Sequence, residues 1–213
     1  MILAYLRPFQ IEHITNLRDM DGSRLTLYID YIAGRDLSKM VTENGFSQMT
    51  ESQGYDIWQD AVEGLKHLHK HNVNHHDLKP ENIVILLPKG GRRRAVLCDF
   101  GIATIGPKMH YNGTPSYISP DIMVGKIRSA PDDIWALGVT MLFVFGFIPL
   151  PKHSWIIQKI EEGDPKTLLA MTNWKLEIRR ICQKLPERLG LLQCMLNESR
   201  AKRITASQLS ERL

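Results

Sequence analysis

Four side chains in the middle of the sequence are of the types that transfer a phosphoryl group to an alcohol. Asp77, Lys79 and Asn82 lie within six residues of one another, in the run His-His-Asp-Leu-Lys-Pro-Glu-Asn at 75–82, and Asp99 follows seventeen positions after that run ends. Such a transfer needs a base or positioner for the hydroxyl, a cation beside the γ-phosphate and oxygen ligands for magnesium. The four residues supply all of these groups.

A simpler interpretation stays open for two of them. Aspartate and asparagine often hydrogen-bond the backbone of their own loop, so Asp77 and Asn82 could merely stabilise a turn. The presence of Lys79 and Asp99 beside them favours the chemical interpretation.

The elements that would position these residues are predicted from apolar periodicity. Apolar residues at helical spacing predict a helix over 52–71, immediately ahead of the candidate loop. Two short apolar runs, 83–86 and 95–97, predict strands on either side of a turn. Asn82 would then precede one strand and Asp99 follow the other, at the distance of one short hairpin.

The flanking regions are less specific. Residues 12–32 alternate polar and apolar and predict two strands joined at Asp21-Gly22, and a short helix is predicted to start over 36–40. Beyond Pro131 the pattern is helical to the end, interrupted by further prolines.

Composition is that of an ordinary soluble globular protein of one domain, with 213 residues, 43% of them hydrophobic and 23% charged. Three cysteines without paired spacing fit a reducing compartment, so an intracellular location, cytoplasmic or nuclear, is expected. The apolar start over residues 1–6 lacks a basic region and a cleavage site, so it is not expected to be a signal peptide.

Three features suggest partners that we do not expect. The apolar run Ile134–Leu150 approaches the length of a membrane span, but a buried core helix is the favoured interpretation, without a membrane partner. The basic run Gly90–Arg94 could bind nucleic acid, but a solvated hairpin tip is favoured, without a nucleic-acid partner. Five histidines between positions 67 and 76 lack a closed ligand set, so no zinc site is expected.

Residues 75–82 and Asp99-Phe100-Gly101 resemble the catalytic-loop pattern H-R-D-L-x-x-x-N and the D-F-G of eukaryotic-type protein kinases, of the serine/threonine class. Four further segments resemble that family in its own order. They correspond to the last small-lobe strand with the hinge, the end of the activation segment, the opening of a buried helix and an arginine-led element: residues 27–34, 113–121, 133–138 and 203–206.

The resemblance implies an α+β, protein-kinase-like fold. A mainly α-helical C-terminal lobe would be accompanied by only the last strands of the N-terminal lobe. Residues 1–32 would be a remnant of the small lobe with the hinge, and residues 33–213 the large lobe, within one kinase domain.

The resemblance also implies ATP and Mg²⁺ as cofactors and a protein as substrate, and it leaves the oligomeric state open. Asp77 would be the base or hydroxyl-positioning group, and Lys79 would neutralise charge on the transferring phosphate. Asn82 and Asp99 would bind magnesium. Thr114 would bond the base and the lysine, with a plain turn residue as the alternative.

For the nucleotide, the resemblance implies Ile29 as gatekeeper and the backbones of Asp30 and Ile32 against the adenine edge. Asp36 would lie near the ribose and Val84 under the ring. Core packing is the alternative for the apolar members of this set.

Two positions depart from the family pattern. His76 replaces an arginine that receives an activation-loop phosphate, and histidine cannot form the same bidentate fork. Regulation through Thr104, Tyr111 or Thr114 is therefore in doubt, while catalysis need not suffer. Asp121 replaces a glutamate and should still pair with Arg203.

The resemblance further predicts a glycine-rich loop and a strand lysine that the sequence does not contain, since its first lysine is Lys39 and its first glycine Gly22. A truncated form of a longer kinase, with about 60 to 80 further residues upstream, is favoured by the intact catalytic residues. The alternative is a catalytically weak or inactive, pseudokinase-like binding scaffold. In either case the chain alone is expected to turn over slowly. A small-molecule kinase of similar fold is disfavoured by the segment that begins at Gly113.

Overall fold

The computed structural model describes residues 2–86, 91–109, 112–125, 127–152 and 155–213. Met1, Gly90 and Tyr111, which enter the sequence predictions, lie outside these residues.

The N-terminal part contains one short helix and one hairpin. Helix α1 (Ile2–Leu6) leads through a 3-10 turn to strands β1 (Leu17–Asp21) and β2 (Thr26–Ile29), which pair antiparallel with Leu17 opposite Ile29. The Asp21 carboxylate closes the hairpin by accepting hydrogen bonds from the Ser23 amide (3.0 Å) and hydroxyl (2.6 Å). The two strands predicted within 12–32 are confirmed.

Strand β3 (Gly34–Asp36) was not predicted; the short helix expected over 36–40 is a 3-10 turn at Leu37–Lys39. Helix α2 (Glu51–Lys70) agrees closely with the predicted helix. It begins where a capping box joins Thr50 and Gln53, each side chain bonding the other's backbone N–H at 3.1–3.3 Å.

Beyond α2 the chain forms β4 (Val73–Asn74), then β5 (Ile83–Leu86) and β6 (Arg94–Leu97), as predicted for the last two. Strands β3, β5 and β6 make one antiparallel sheet in that order, whose register sets Ile83 opposite Leu97. The sheet therefore connects the residue after Asn82 with the residue two before Asp99.

The segment after Asp99 is held by two small ribbons. Strand β7 (Thr104–Ile105) pairs antiparallel with β4, and β8 (Lys108–Met109) pairs with β9 (Ile127–Arg128). Each has two residues, a length without readable periodicity, so none of these strands was predicted.

Helix α3 (Ala130–Val144) forms the centre of the molecule, and every residue from Asp132 to Val144 is buried. It ends at a Schellman motif, in which Gly146 has φ +75° and Phe147 N–H donates to the Leu142 carbonyl at 2.9 Å. The predicted core helix is confirmed up to Val144, but the rest of the apolar run lies beyond its end. Among the residues that the structure describes, none of the helices combines the length and apolar character needed to cross a membrane.

The C-terminal part is helical, as predicted. The helices are α4 (Gln158–Glu161), α5 (Pro165–Cys182), α6 (Gly190–Met195) and α7 (Ala206–Ser210). Helix α6 packs against α3 and α7 packs against α2, while α4 packs against α5. The main core joins side chains of α2, α3, α6 and α7 with those of the β5–β6 hairpin.

In the described part of the basic run, Gly91 and Arg92 are exposed, as the sequence suggested, but Arg92 and Arg94 also form ion pairs within the chain. Arg92 donates to Asp56 at 2.8 Å and to the buried Asp60 at 3.0 Å, both on α2, and Arg94 pairs with Glu12. Asp60 also accepts from the Ala95 amide at 2.9 Å. Arg92 therefore joins the hairpin to α2, Arg94 joins it to the segment before β1, and much of their charge is compensated within the chain.

Candidate active site

The loop between β4 and β5 brings Asp77, Lys79 and Asn82 into one hydrogen-bonded group. Lys79 Nζ lies 2.8 Å from Asp77 Oδ2. Asn82 Nδ2 donates to the Asp77 carbonyl at 2.8 Å and to its Oδ2 at 3.2 Å. The side chain of Asp77 retains 14% exposure, so the carboxylate is fixed in position while still accessible from solvent.

Thr114 joins this group from a different part of the chain. Its hydroxyl donates to Asp77 Oδ1 at 2.7 Å and accepts from Lys79 Nζ at 2.7 Å. The contact spans thirty-seven positions, so it requires the segment after Asp99 to fold back over the loop. The bonding partners that the sequence predicted for Thr114 are present.

Asp99 reaches the same region through the β5–β6 hairpin. The Asn82 carbonyl accepts from the Cys98 amide at 2.9 Å, which sets the asparagine beside the residue that precedes Asp99. Asp99 itself is exposed and accepts from the Gly101 amide at 3.1 Å. Two oxygen-bearing side chains, Asn82 and Asp99, are thus held on adjoining backbone.

His76 and Asp99 both have left-handed backbone, with φ of +69° and +62°. Non-glycine residues adopt this conformation only when the surrounding structure enforces it, and such residues concentrate at functional sites. For His76, the surrounding structure that holds this conformation is helix α3, which packs against the loop.

That support is Asp133, in the first turn of α3, whose side chain has no solvent exposure. Its carboxylate accepts from the backbone amides of His75 and His76, each at 2.8 Å, and contacts His69 Nε2 at 3.0 Å. Burial by itself raises the pKa of Asp133. The His69 hydrogen bond and the charges of His69, His76 and His75 outweigh burial and hold that pKa below its usual value of 3.8.

We expect Asp133→Asn to lower the free energy of unfolding by about 2 kcal/mol at pH 7, because a neutral amide replaces a charged acceptor. The pKa of Asp133 is lower in the folded chain than in the unfolded chain. The carboxylate's contribution is therefore complete above its usual pKa and is lost as the pH falls through the folded value. Urea unfolding at several pH values should show the difference between the two proteins shrinking below a pH of about 4. A difference that stays constant down to low pH would contradict this.

His76 has a different partner from the phosphate that the family pattern suggests. Its Nε2 lies 2.8 Å from Thr104 Oγ1, and that hydroxyl donates to the Gly106 carbonyl at 2.9 Å. The Thr104 hydroxyl thus bridges His76 Nε2 and the Gly106 carbonyl. Thr104 and Thr114 therefore both have their hydroxyls engaged within the site, and Tyr111 lies outside the described residues.

The residues predicted to bind the nucleotide do not all line one cavity. Ile29 lines a cavity of about 700 Å³ together with Leu27, Thr15, Asp99 and Phe100. This cavity joins the gatekeeper candidate to one of the candidate metal ligands. Lys108, which sequence reasoning did not single out, also lines it.

Asp36 and Val84 lie opposite each other in the β3–β5 register. Burial by itself raises the pKa of Asp36, but the hydrogen bonds from Lys39 (2.7 Å between Nζ and Oδ2) and Ser38 hold it below its usual value. Of the hinge pair, Asp30 directs its carboxylate to Arg18 and Asn16. The Ile32 carbonyl accepts from the Gly34 amide at 2.8 Å, so that oxygen is already used in a local turn.

The predicted contact between Asp121 and Arg203 is present, with 2.7 Å between Oδ2 and Nη2. Sequence reasoning did not anticipate Arg128, a buried residue that donates to the His76 carbonyl at 2.8 Å. An arginine is normally expected at the surface, so nothing in the sequence indicated that Arg128 would be buried.

Comparison with known proteins agrees with the family resemblance of the sequence motifs. Residues 3–212 match the family model described as protein kinase domain. Serine/threonine-protein kinase DCLK1 of Rattus norvegicus is 34% identical over 137 residues, 62% of this chain and 31% of that protein. CBL-interacting protein kinase 17 of Oryza sativa subsp. japonica is 26% identical over 175 residues, 76% of this chain and 37% of that protein. Serine/threonine-protein kinase H2 of Homo sapiens is 30% identical over 162 residues, 71% of this chain and 41% of that protein.

The chain spans less than half of the length of each of these relatives. The family match nevertheless covers nearly every residue, including the loop of Asp77 and the hairpin that leads to Asp99. The chain belongs to the eukaryotic-type serine/threonine protein kinase family.

Proposed function

We propose that this chain transfers the γ-phosphate of ATP to a serine or threonine hydroxyl of a protein substrate. The observation that carries the proposal is the four-membered group of Asp77, Lys79, Asn82 and Thr114, with Asp99 on the adjoining hairpin. It unites a carboxylate, a cation and oxygen ligands around one partly exposed point.

In the proposed reaction, Asp77 accepts a hydrogen bond from the substrate hydroxyl and receives its proton as the new bond to phosphorus forms. The bond between phosphorus and the leaving ADP oxygen breaks in the same displacement. Lys79, held 2.8 Å from Asp77, compensates the charge of the carboxylate and of the transferring group. Thr114 fixes both side chains, so the positioning that dominates this kind of catalysis is built in before the substrate arrives.

The residues present fit a magnesium ion. Asn82 uses its amide nitrogen on Asp77, which keeps its Oδ1 as a ligand oxygen, and Asp99 adds a carboxylate. Among the described residues no group of three or more His, Cys, Asp and Glu side chains could hold a metal by itself. This suits magnesium, which is commonly bound by one or two carboxylates together with substrate phosphates. When bound, the ion would neutralise phosphate charge.

We expect Asp99→Asn to weaken magnesium-dependent ATP binding by at least about tenfold. Even residues that only support a metal ligand typically cost 10- to 100-fold in metal affinity. The measurement is ATP titration by calorimetry with and without Mg²⁺. Glu162→Gln, which neutralises an exposed carboxylate between α4 and α5, is the matched control and should bind as wild type does. Equal magnesium-dependent binding by Asp99→Asn and wild type would remove Asp99 from the site.

A second candidate is a weakly active or inactive binding scaffold. It is favoured by one observation: positions 1–38 contain no lysine, and Lys39 is 2.7 Å from Asp36 Oδ2. Strands β1 and β2 therefore do not supply the lysine that the family places over the α- and β-phosphates. Transfer of labelled phosphate to a serine-containing protein separates the candidates, since a scaffold would bind partners without transferring phosphate.

A further inference from the structure

Arg128, the second residue of β9, lies in an unusual place for a charged side chain. It is only 2% exposed, and it reaches between the catalytic loop and the segment that carries Thr114. Nη2 donates to the His76 carbonyl at 2.8 Å, and Nη1 donates to the Asn112 carbonyl. One guanidinium therefore bonds both of the backbone segments that meet at the candidate active site.

The electrostatic surroundings explain why the charge can be buried. Burial lowers the pKa of Arg128, while the carboxylates of Asp132, Asp133 and Asp77 act in the opposite direction. Arginine normally extends its charged end to solvent along an apolar stem. Here the guanidinium instead lies inside, near three carboxylates, and donates to two carbonyls.

The two carbonyls flank the central contact of the site. His76 directly precedes Asp77, and Asn112 is two residues before Thr114, whose hydroxyl donates to Asp77 at 2.7 Å. Gly113, between Asn112 and Thr114, has φ +126°, and a Cβ there would lie 3.1 Å from the His76 carbonyl oxygen. The backbone of the two segments is thus packed closely at the point where Arg128 joins them.

We propose that Arg128 is a positioning residue that fixes residues 112–114 against the catalytic loop. The order of the site then depends on a buried guanidinium of the chain itself and needs no phosphate on the segment. The bond between His76 and Thr104, at 2.8 Å, supports the same segment nearer its start. The catalytic part of this inference rests on the proposed kinase function, and the ordering part does not.

Amide hydrogen exchange by mass spectrometry tests the ordering directly. The Tyr117 and Ile118 amides donate to the Thr114 and Pro115 carbonyls at 3.0 and 3.2 Å, so their protection reports on this segment. Arg128→Met keeps the volume and removes the donors, and it should speed exchange over 112–118 by at least about tenfold, through local opening. Arg128→Lys, which keeps the charge without the fork, should show a smaller increase at the same amides.

Arg200→Met is the matched control. Arg200 donates to the Ile127 carbonyl at 2.7 Å and to Ser129 at 2.9 Å, and it pairs with Asp132. It therefore supports the same strand and helix start without touching the catalytic loop. This variant should lower the melting temperature and leave exchange over 112–118 as in wild type.

In the transfer assay, Arg128→Met should lower kcat at least about tenfold with little change in KM for ATP, because misplacement of reacting groups affects the chemical step. Wild-type protein shown by intact mass to carry no phosphate should keep full protection over 112–118. If the wild type transfers no phosphate, the proposed function fails, and the exchange comparison still decides the ordering.

Three results would overturn the inference. The first is unchanged protection over 112–118 in folded Arg128→Met. The second is equal loss of protection in Arg200→Met, and the third is protection that disappears on phosphatase treatment. If Arg128→Met does not fold, Arg128→Lys decides, and its exchange must then rise over 112–118 and not across α2.

Discussion

Asp77→Asn should lower the rate of phosphoryl transfer by about 10²- to 10⁴-fold, the usual contribution of a positioned general base. The substitution preserves the shape of the side chain and removes its charge and its ability to take a proton. Asp77 is bonded by Thr114, Lys79 and Asn82 at 2.7–3.2 Å, and none of these three side chains is a carboxylate that could replace it. The measurement is single-turnover transfer from labelled ATP to a serine-containing protein, with ATP affinity determined in parallel.

Glu81→Gln provides the matched control. It removes one carboxylate from an exposed position of the same loop, and it should leave the transfer rate nearly unchanged. ATP affinity should be similar in all three proteins, because Asp77 acts on the hydroxyl and not on the nucleotide. A variant Asp77→Asn that retains more than about a tenth of wild-type transfer would exclude a general-base role.

The residues of this site could be predicted because they follow local patterns. The 3.6-residue period of α2 and the apolar runs of β5 and β6 are each set by neighbouring residues, and the capping box at Thr50 and Gln53 is local too. The motifs of Asp77 and Asp99 are continuous in sequence and adjoin these elements. The antiparallel pairing of β5 with β6 then brings the two motifs close together.

The remaining features depend on contacts between distant positions. Arg92 bonds Asp56 and Asp60 across more than thirty residues, and nothing near Arg92 distinguishes it from a solvated arginine. The two-residue strands at Val73 and Thr104 are likewise defined only by each other. Such elements are a consequence of tertiary structure and have no periodicity of their own.

Asp133 combines the two cases, because it lies in a helix that local sequence predicts and makes contacts that only the tertiary structure shows. The sequence predicted its helix, but the helix pattern could not show that the carboxylate would accept the amides of His75 and His76, which lie 58 and 57 positions away. Through those bonds the central helix holds the left-handed backbone before Asp77. The loop that carries Asp77 is therefore positioned by the core of the protein. On the proposed function, loss of these core polar contacts should lower activity as well as stability.

Arg203 is the second group of this kind, and its side chain has no exposure. Besides Asp121, it donates to the carbonyls of Asn197 and Pro131 at 2.9–3.1 Å. Its guanidinium also lies 5.2 Å from the centre of the Trp135 ring. One buried cation thus connects the end of the activation segment, the start of α3 and the turn before α7.

Arg203→Ala should therefore lower the free energy of unfolding by about 3 to 5 kcal/mol, because it leaves the half-buried Asp121 and two carbonyls without their donor. Thermal and urea unfolding measure the change. Arg179→Ala is the matched control, since Arg179 is 53% exposed and pairs with Glu198 at the surface, where such pairs contribute about 0 to 1 kcal/mol. A loss in Arg203→Ala no larger than in this control would mean that the pair with Asp121 opens in solution. The structural link between the activation segment and the C-terminal helices would then have to lie elsewhere.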